Sequence, residues 1–203
     1  ETFNKTTNRR IAAVVPMHTF GHPCRIDEIV EVCDKYGIPV VEDAAESLGS
    51  FYKNKHTGTF GKIGVLSFNG NKTITTGGGG MLITNDEELG KHAKYLSTQA
   101  KVPHPWEYVH NEIGYNYRMS NIQAAIGLAQ VRRLEGFIAR KRAIACLYGR
   151  LLAGIPGIVL PVEKPYARSV YWMYGIRVAR EAGITRDHLR RKLAAAGIET
   201  RSF

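Results

Sequence analysis

The sequence predicts an α/β fold, a mainly parallel central sheet flanked by helices. Three observations carry this. Short apolar runs of strand length recur in the first half of the chain. Segments with apolar residues at helical spacing separate them. The apolar runs are near-continuous rather than alternating, as in strands covered on both faces.

The elements follow in order. IAAVVPM (11–17) reads as a buried strand. In RIDEIVEVCDKYG (25–37), Ile26, Ile29, Val30 and Cys33 share one helical face, and Gly37 supplies the stop. IPVVED (38–43), IGVLSFN (63–69) and MLITN (81–85) read as three further strands, and DEELGKHAKYLSTQ (86–99) as a helix. Residues 100–117 carry Pro103, Pro105 and several aromatics and read as a long loop, a class that is often functional. One long helix is expected from Ser120 to about Leu152, with Ala124, Ala125, Leu128, Val131 and Leu134 on one side. Strand-like IVLPV (158–162) and SVYWMYGIRV (169–178) follow, then a helix capped by Thr185 and ended near Gly197. The expected division is a large domain over 1–132, then a connecting helix and the start of a smaller α+β domain over 133–203.

Composition narrows the function classes. The chain is 44% hydrophobic and 23% charged, enough for an ordinary core. Its formal charge of +10 suits nucleic acid, a membrane or anionic small substrates such as nucleotide-linked sugars. Much of the excess lies in VRRLEGFIARKR (131–142) and RDHLRRKL (186–193), which read as helical faces. There is no basic motif interleaved with aromatics of the RNA-binding kind, and no apolar stretch of membrane-spanning length. The expectation is therefore no nucleic-acid and no membrane partner. Three cysteines without a CxxC pair argue for the reducing cytoplasm and against a disulfide framework or a zinc site.

The chemistry centres on SFNGNKTITTGGGG (67–80). Lys72 sits in an otherwise uncharged stretch between a strand and four glycines. A P-loop reading is weak, because Asn71 stands where glycine is required and the glycines follow the lysine. A dinucleotide GxGxxG fails as well. A lysine at a strand end, held in a partly dry pocket, can instead form a Schiff base with an aldehyde cofactor. Desolvation disfavours the ammonium form of a lysine so placed. Pyridoxal 5′-phosphate (PLP) also needs a carboxylate at its pyridine nitrogen. Asp43, at the end of VVED, is the candidate, since strands 38–43 and 63–69 would deliver their ends to one sheet edge. Ser67 can donate to the phosphate. Each residue has a plainer reading. Asp43-Ala-Ala-Glu46 resembles a capping box, Lys72 could be a solvated turn lysine, Ser67 a strand serine, and the glycines a tight turn.

Four blocks carry a resemblance: VVPMHTFGHPCRIDEI (14–29), VVEDAAESLGSFY (40–52), GTFGKIGVLSFNGNKTITTGGGGMLITND (58–86) and NEIGYNYRMSNIQAAIGLAQ (111–130). Together they resemble the PLP-dependent sugar aminotransferases of the DegT/DnrJ/EryC1/StrS family, which have the fold-type-I PLP-dependent transferase architecture. The resemblance implies that Lys72 holds the cofactor and later shuttles a proton. It implies that Asp43 meets the pyridinium nitrogen and that Glu46 lies near the ring, where relatives often carry Gln or His. It implies that Ser67 binds the phosphate, and that Asn116 reaches the phosphate of the neighbouring subunit's cofactor in a homodimer with shared sites. Read alone, Asn116 could be a loop amide bonded to its own backbone. Gly78 stands where the family usually has Glu. The lysine block and the 100–117 loop look most similar to the branch acting on UDP-linked 4-keto-6-deoxy-N-acetylhexosamines, of the bacillosamine and legionaminic-acid type.

The implied reaction moves an amino group from glutamate to a nucleotide-linked keto-sugar, for surface polysaccharide, glycan or amino-sugar biosynthesis. The resemblance also implies a central fragment of a longer protein. Relatives carry an earlier segment whose helix start binds the PLP phosphate, so the 203 residues alone are expected to bind PLP weakly and to be inactive. The rivals are another fold-type-I PLP enzyme or a keto-cyclitol aminotransferase, a non-catalytic sensor or binding member of the fold, and a nucleic-acid-binding domain suggested by charge alone.

Overall fold

The structure, a computed structural model, describes residues 2–203. Helix α1 spans Ile26–Lys35, with Asp27 and Glu28 in its first turn and Lys35 in its last, as the helix dipole favours. Ile26 and Cys33 of its inner face are buried with Val40 and Tyr52 in one core cluster. Strand β1 is Val41–Asp43. Strands β2 (Phe51–Tyr52) and β3 (Lys55–His56) form a hairpin, and β4 is Ile63–Ser67. Strand β5 (Gly80–Ile83) precedes helix α2 (Glu87–Ser97). The Asp86 side chain caps α2 by accepting from Leu89 N–H at 3.0 Å.

The central sheet has the order β1-β4-β5. β1 and β4 are parallel, with Asp43 level with Val65, whereas β5 runs antiparallel to β4. The run at 11–17 lies beside β1 in parallel but pairs only at Val14–Val40 and Met17–Asp43. Pro16 has no N–H to give, so no continuous ladder forms there. A second cluster, Ala44, Leu66, Phe68 and Ile74, packs under the end of β4.

Four expectations change in detail. The 100–117 segment contains a small hairpin of β6 (Lys101–Val102) and β7 (Val109–His110). The long helix is two helices, α3 (Asn121–Val131) and α4 (Leu134–Leu152), interrupted at Arg132–Arg133, where Arg133 (φ −110°, ψ 3°) leaves the helical region. The interruption lets Gln130 of α3 reach the Thr75 backbone while Leu134 and Phe137 of α4 meet the second cluster. The run at 158–162 forms only β8 (Ile158–Val159), consistent with Pro161, which offers no donor. Within 169–178 only β10 (Arg177–Val178) is a strand, antiparallel to β8. Before it, β9 (Ala167–Arg168) pairs with β2. Helix α5 (Arg186–Ala195) is capped by the Thr185 hydroxyl, which accepts from His188 N–H.

Candidate active site

β1 and β4 run side by side, so Asp43 and Ser67 come out at the same edge of the sheet. Beyond β4 the chain turns tightly, and Lys72 N–H donates to the Asn69 carbonyl at 3.0 Å. This turn folds the Lys72 side chain back until only 14% of it is exposed. Its Nζ lies 3.9 Å from Oε1 of Glu46, within ion-pairing range and too long for a direct hydrogen bond. The same Nζ sits over the indole face of Trp172, 4.0 Å from the ring centre.

Each partner is itself held. The second carboxylate oxygen of Glu46 accepts from Phe20 N–H at 2.7 Å. Phe20 has φ 57° and Tyr171 has φ 48°, a left-handed backbone that a bulky residue rarely adopts. Both strained residues therefore adjoin the lysine's partners. The indole N–H of Trp172 donates to the Asn71 carbonyl at 2.8 Å. After the lysine, the Gln130 amide clasps Thr75, accepting from its N–H at 2.9 Å and donating to its carbonyl at 2.7 Å. Gly79 then takes φ 102°, open to glycine alone, and the chain reverses into β5.

Asp43 is half-buried, and its Oδ1 accepts from Ala45 N–H at 3.0 Å. No helix follows it; the chain makes turns from Ala45 onward, so Asp43 is not a helix cap. Its other oxygen has no protein hydrogen-bond partner among the described residues. Ser67 Oγ accepts from Asn69 N–H at 3.3 Å, leaving its own proton to give. Asn116 is exposed, pairs with Thr98 through a single bridge, and makes no hydrogen bond to the Lys72 group within this chain, among the described residues.

Under this edge, on the opposite side of β1 from Asp43, lies a buried carboxylate. Glu42 receives His18 Nε2 at 3.0 Å and the N–H groups of Gly58, Phe60 and Gly61 at 2.6–2.7 Å. Burial works against its charged form, but the His18 ring and those three N–H groups outweigh it and hold its pKa below the ordinary value.

The arrangement therefore joins Lys72, Glu46 and Trp172 directly, with Asp43 three residues before Glu46 and Ser67 at the same edge. Reading the sequence missed Trp172, Gln130 and the role of Phe20. Their contacts span tens of residues and leave no local pattern to find.

The sequence model of the DegT/DnrJ/EryC1/StrS aminotransferase family matches residues 1–203. The chain belongs to this family. GDP-perosamine synthase of Escherichia coli O157:H7 is 45% identical over 199 residues, covering 97% of this chain and 52% of that protein. The crystal structure of the aminotransferase TlmJ from Streptoalloteichus hindustanus superposes with a TM-score of 0.87 at 33% identity, covering 94% of this chain and 52% of that one. DesV of S. venezuelae, solved in complex with a ketimine intermediate, gives a TM-score of 0.82 at 33% identity over 92% of this chain and 48% of its own. The chain thus spans about half the length of the relatives it matches.

These neighbours share the fold-type-I PLP aminotransferase architecture, and PLP is the family's cofactor. The donor set here fits it. A carboxylate with one uncommitted oxygen and a hydroxyl with a free proton end two neighbouring strands at one sheet edge, and a shielded amine stands in the turn that follows. Among the described residues no helix is long and apolar enough to cross a membrane.

Proposed function

We propose that the protein carrying this chain is a PLP-dependent sugar aminotransferase that moves an amino group from glutamate to the keto carbon of a nucleotide-linked sugar. The reading is carried by the Lys72 amine, held between the Glu46 carboxylate and the Trp172 face at the edge where Asp43 emerges. When bound, PLP supplies an electron sink for a carbanion at the substrate carbon. Lys72 would hold the cofactor through Nζ, Asp43 would hold its pyridine nitrogen, and Ser67 would donate to its phosphate. Lys72 Nζ would carry a proton between the substrate carbon and the cofactor, as general base and then acid. Glu46 Oε1 stands 3.9 Å from that amine, the Trp172 face covers it from another side, and Phe20 N–H fixes the other Glu46 oxygen.

A homodimer with shared sites is part of the proposal. Trp106, Ile113, Tyr117 and Ile122 are each more than 75% exposed and surround Asn116 in sequence. So many exposed apolar side chains on one segment suit an interface, where Asn116 of one copy would face the other copy's cofactor phosphate. Three free cysteines, Cys24, Cys33 and Cys146, suit the cytoplasm.

Among substrates, the resemblance of the lysine block favours a UDP-linked 4-keto-6-deoxy-N-acetylhexosamine. A GDP-linked sugar is the second reading, favoured by the 45% identity to GDP-perosamine synthase. Incubation with PLP, borohydride reduction and peptide mass mapping test the core of the proposal. In the whole protein that carries this chain, cofactor fixed on the Lys72 peptide is the expected result; fixation elsewhere, or none, overturns the proposal. Fluorescence titration with UDP and GDP separates the two substrate readings.

A further inference from the structure

We propose that Trp172 is a positioning residue for the Lys72 amine, a role that rests on the aminotransferase reading above. Its indole face lies 4.0 Å from Nζ, and its own N–H is tied to the carbonyl of Asn71, the residue beside that lysine. One side chain thus grips the turn at two points: the backbone before Lys72 and the ammonium at its tip. Glu46 approaches the ammonium at 3.9 Å. The amine is held between a carboxylate and an aromatic face with little freedom to swing.

The placement of Trp172 is built, not incidental. Ser169 and Val170 are buried, and both are fastened to the core beside the site. Ser169 Oγ donates to the Gly21 carbonyl at 3.0 Å, and Val170 N–H donates to the Ser50 hydroxyl at 3.1 Å. Tyr171 is then driven to φ 48°, with its N–H on the Ser169 hydroxyl, and this turn delivers Trp172 to the lysine. Gly21 is a glycine because a Cβ there would come 2.7 Å from Val170 and 3.2 Å from Trp172 N. The contrast is Lys101 over Tyr108 at 3.9 Å, a pair on an exposed hairpin with no such support.

The test compares wild type with Trp172→Phe and Trp172→Leu in the protein stripped of cofactor. Acetic anhydride labels free amines, and peptide mass mapping gives the rate at Lys72 relative to exposed Lys62, which cancels any general loosening. The expected result is a Lys72 rate near wild type in the Phe variant, which keeps an aromatic face. In the Leu variant it rises about fivefold, the size of a part-shielded cation–π contact. Equal rates in wild type and the Leu variant overturn the proposal, as do equally fast rates in both variants. Borohydride trapping judges the cofactor reading separately. Cofactor fixed on Lys72 with no labelling difference removes only the role of Trp172; a labelling difference without trapping removes only the aminotransferase reading.

Discussion

Nε2 of His18 lies 3.0 Å from Oε2 of Glu42, and neither side chain reaches solvent. His18 Nδ1 accepts from Cys24 N–H, so the ring proton sits on Nε2 and is donated to the carboxylate. With three further backbone donors, Glu42 stitches the 58–61 loop and the 18–24 segment to β1, one residue before Asp43. Glu42→Gln would turn an N–H₂ toward groups that are all donors. We expect a loss of about 3–5 kcal/mol of stability, the usual cost of breaking a buried pair, measured by urea unfolding at neutral pH.

The same carboxylate sets an acid limb. Its folded pKa lies below the ordinary 4.5. Its contribution is therefore fully present above the unfolded-state value and lost as pH falls through the folded one. Urea midpoints of wild type should drop steeply below about pH 4.5, and the Gln variant should show a shallower drop. Parallel curves would remove Glu42 as the titrating group.

Arg142 of α4 grips Glu163 through both guanidinium nitrogens, at 2.6 and 3.1 Å, and also donates to the Ser169 carbonyl. Although its partial burial opposes the charge, the Arg142 guanidinium holds the Glu163 carboxyl below its usual range. A double-mutant cycle of Arg142→Ala and Glu163→Ala should return a coupling of about 1–2 kcal/mol. It should shrink on acidification, since a carboxylate with a depressed pKa loses its stabilising role as it protonates.

Gly21→Ala combines an adverse φ of 87° with a Cβ placed 2.7 Å from Val170 and 3.0 Å from the Glu46 carbonyl. We expect a loss of about 1–3 kcal/mol in thermal or urea melts. Indole fluorescence should shift too, because the segment bearing Trp172 must move.

Asp43→Asn leaves the Ala45 N–H an oxygen to bond but removes the charge. Trapping of PLP on Lys72 should persist while turnover falls about 10²–10³-fold, as when one electrostatic partner of a reacting group is lost. Wild-type turnover in this variant would detach Asp43 from the proposed role.

Much of the frame is legible in the residues because its causes are local. The face formed by Ile26, Ile29, Val30 and Cys33 defines α1, and Thr185 announces α5 by a side chain that bonds within one turn. The common edge of Asp43 and Ser67 follows from two parallel strands. The rest depends on partners far along the chain. Nothing near Gly80 says that β5 will run antiparallel to β4, and nothing near Ala167 points to β2. The helical pattern continues through Arg132–Arg133, where packing of Leu134 and Phe137 on the second cluster and the hold on Thr75 redirect the chain. Asp43 and Glu46 carry a capping pattern, yet the turns after Ala44 are set by its backbone bond to β4. Trp172 sits in a run that looks like a strand, and only the fixed turn at Ser169–Tyr171 reveals its position over Lys72.

The 101 residues that separate Trp172 from Asn71 also set a timetable. A ribosome adding about 5–20 residues per second leaves an interval of roughly 5–20 s between the emergence of the lysine turn and that of the indole. Throughout that interval Lys72 is an uncovered amine on a nascent chain, open to any aldehyde in solution. The indole face reaches Lys72 only when the later segment docks, which makes completion of the lysine's surroundings a late event in the life of the polypeptide.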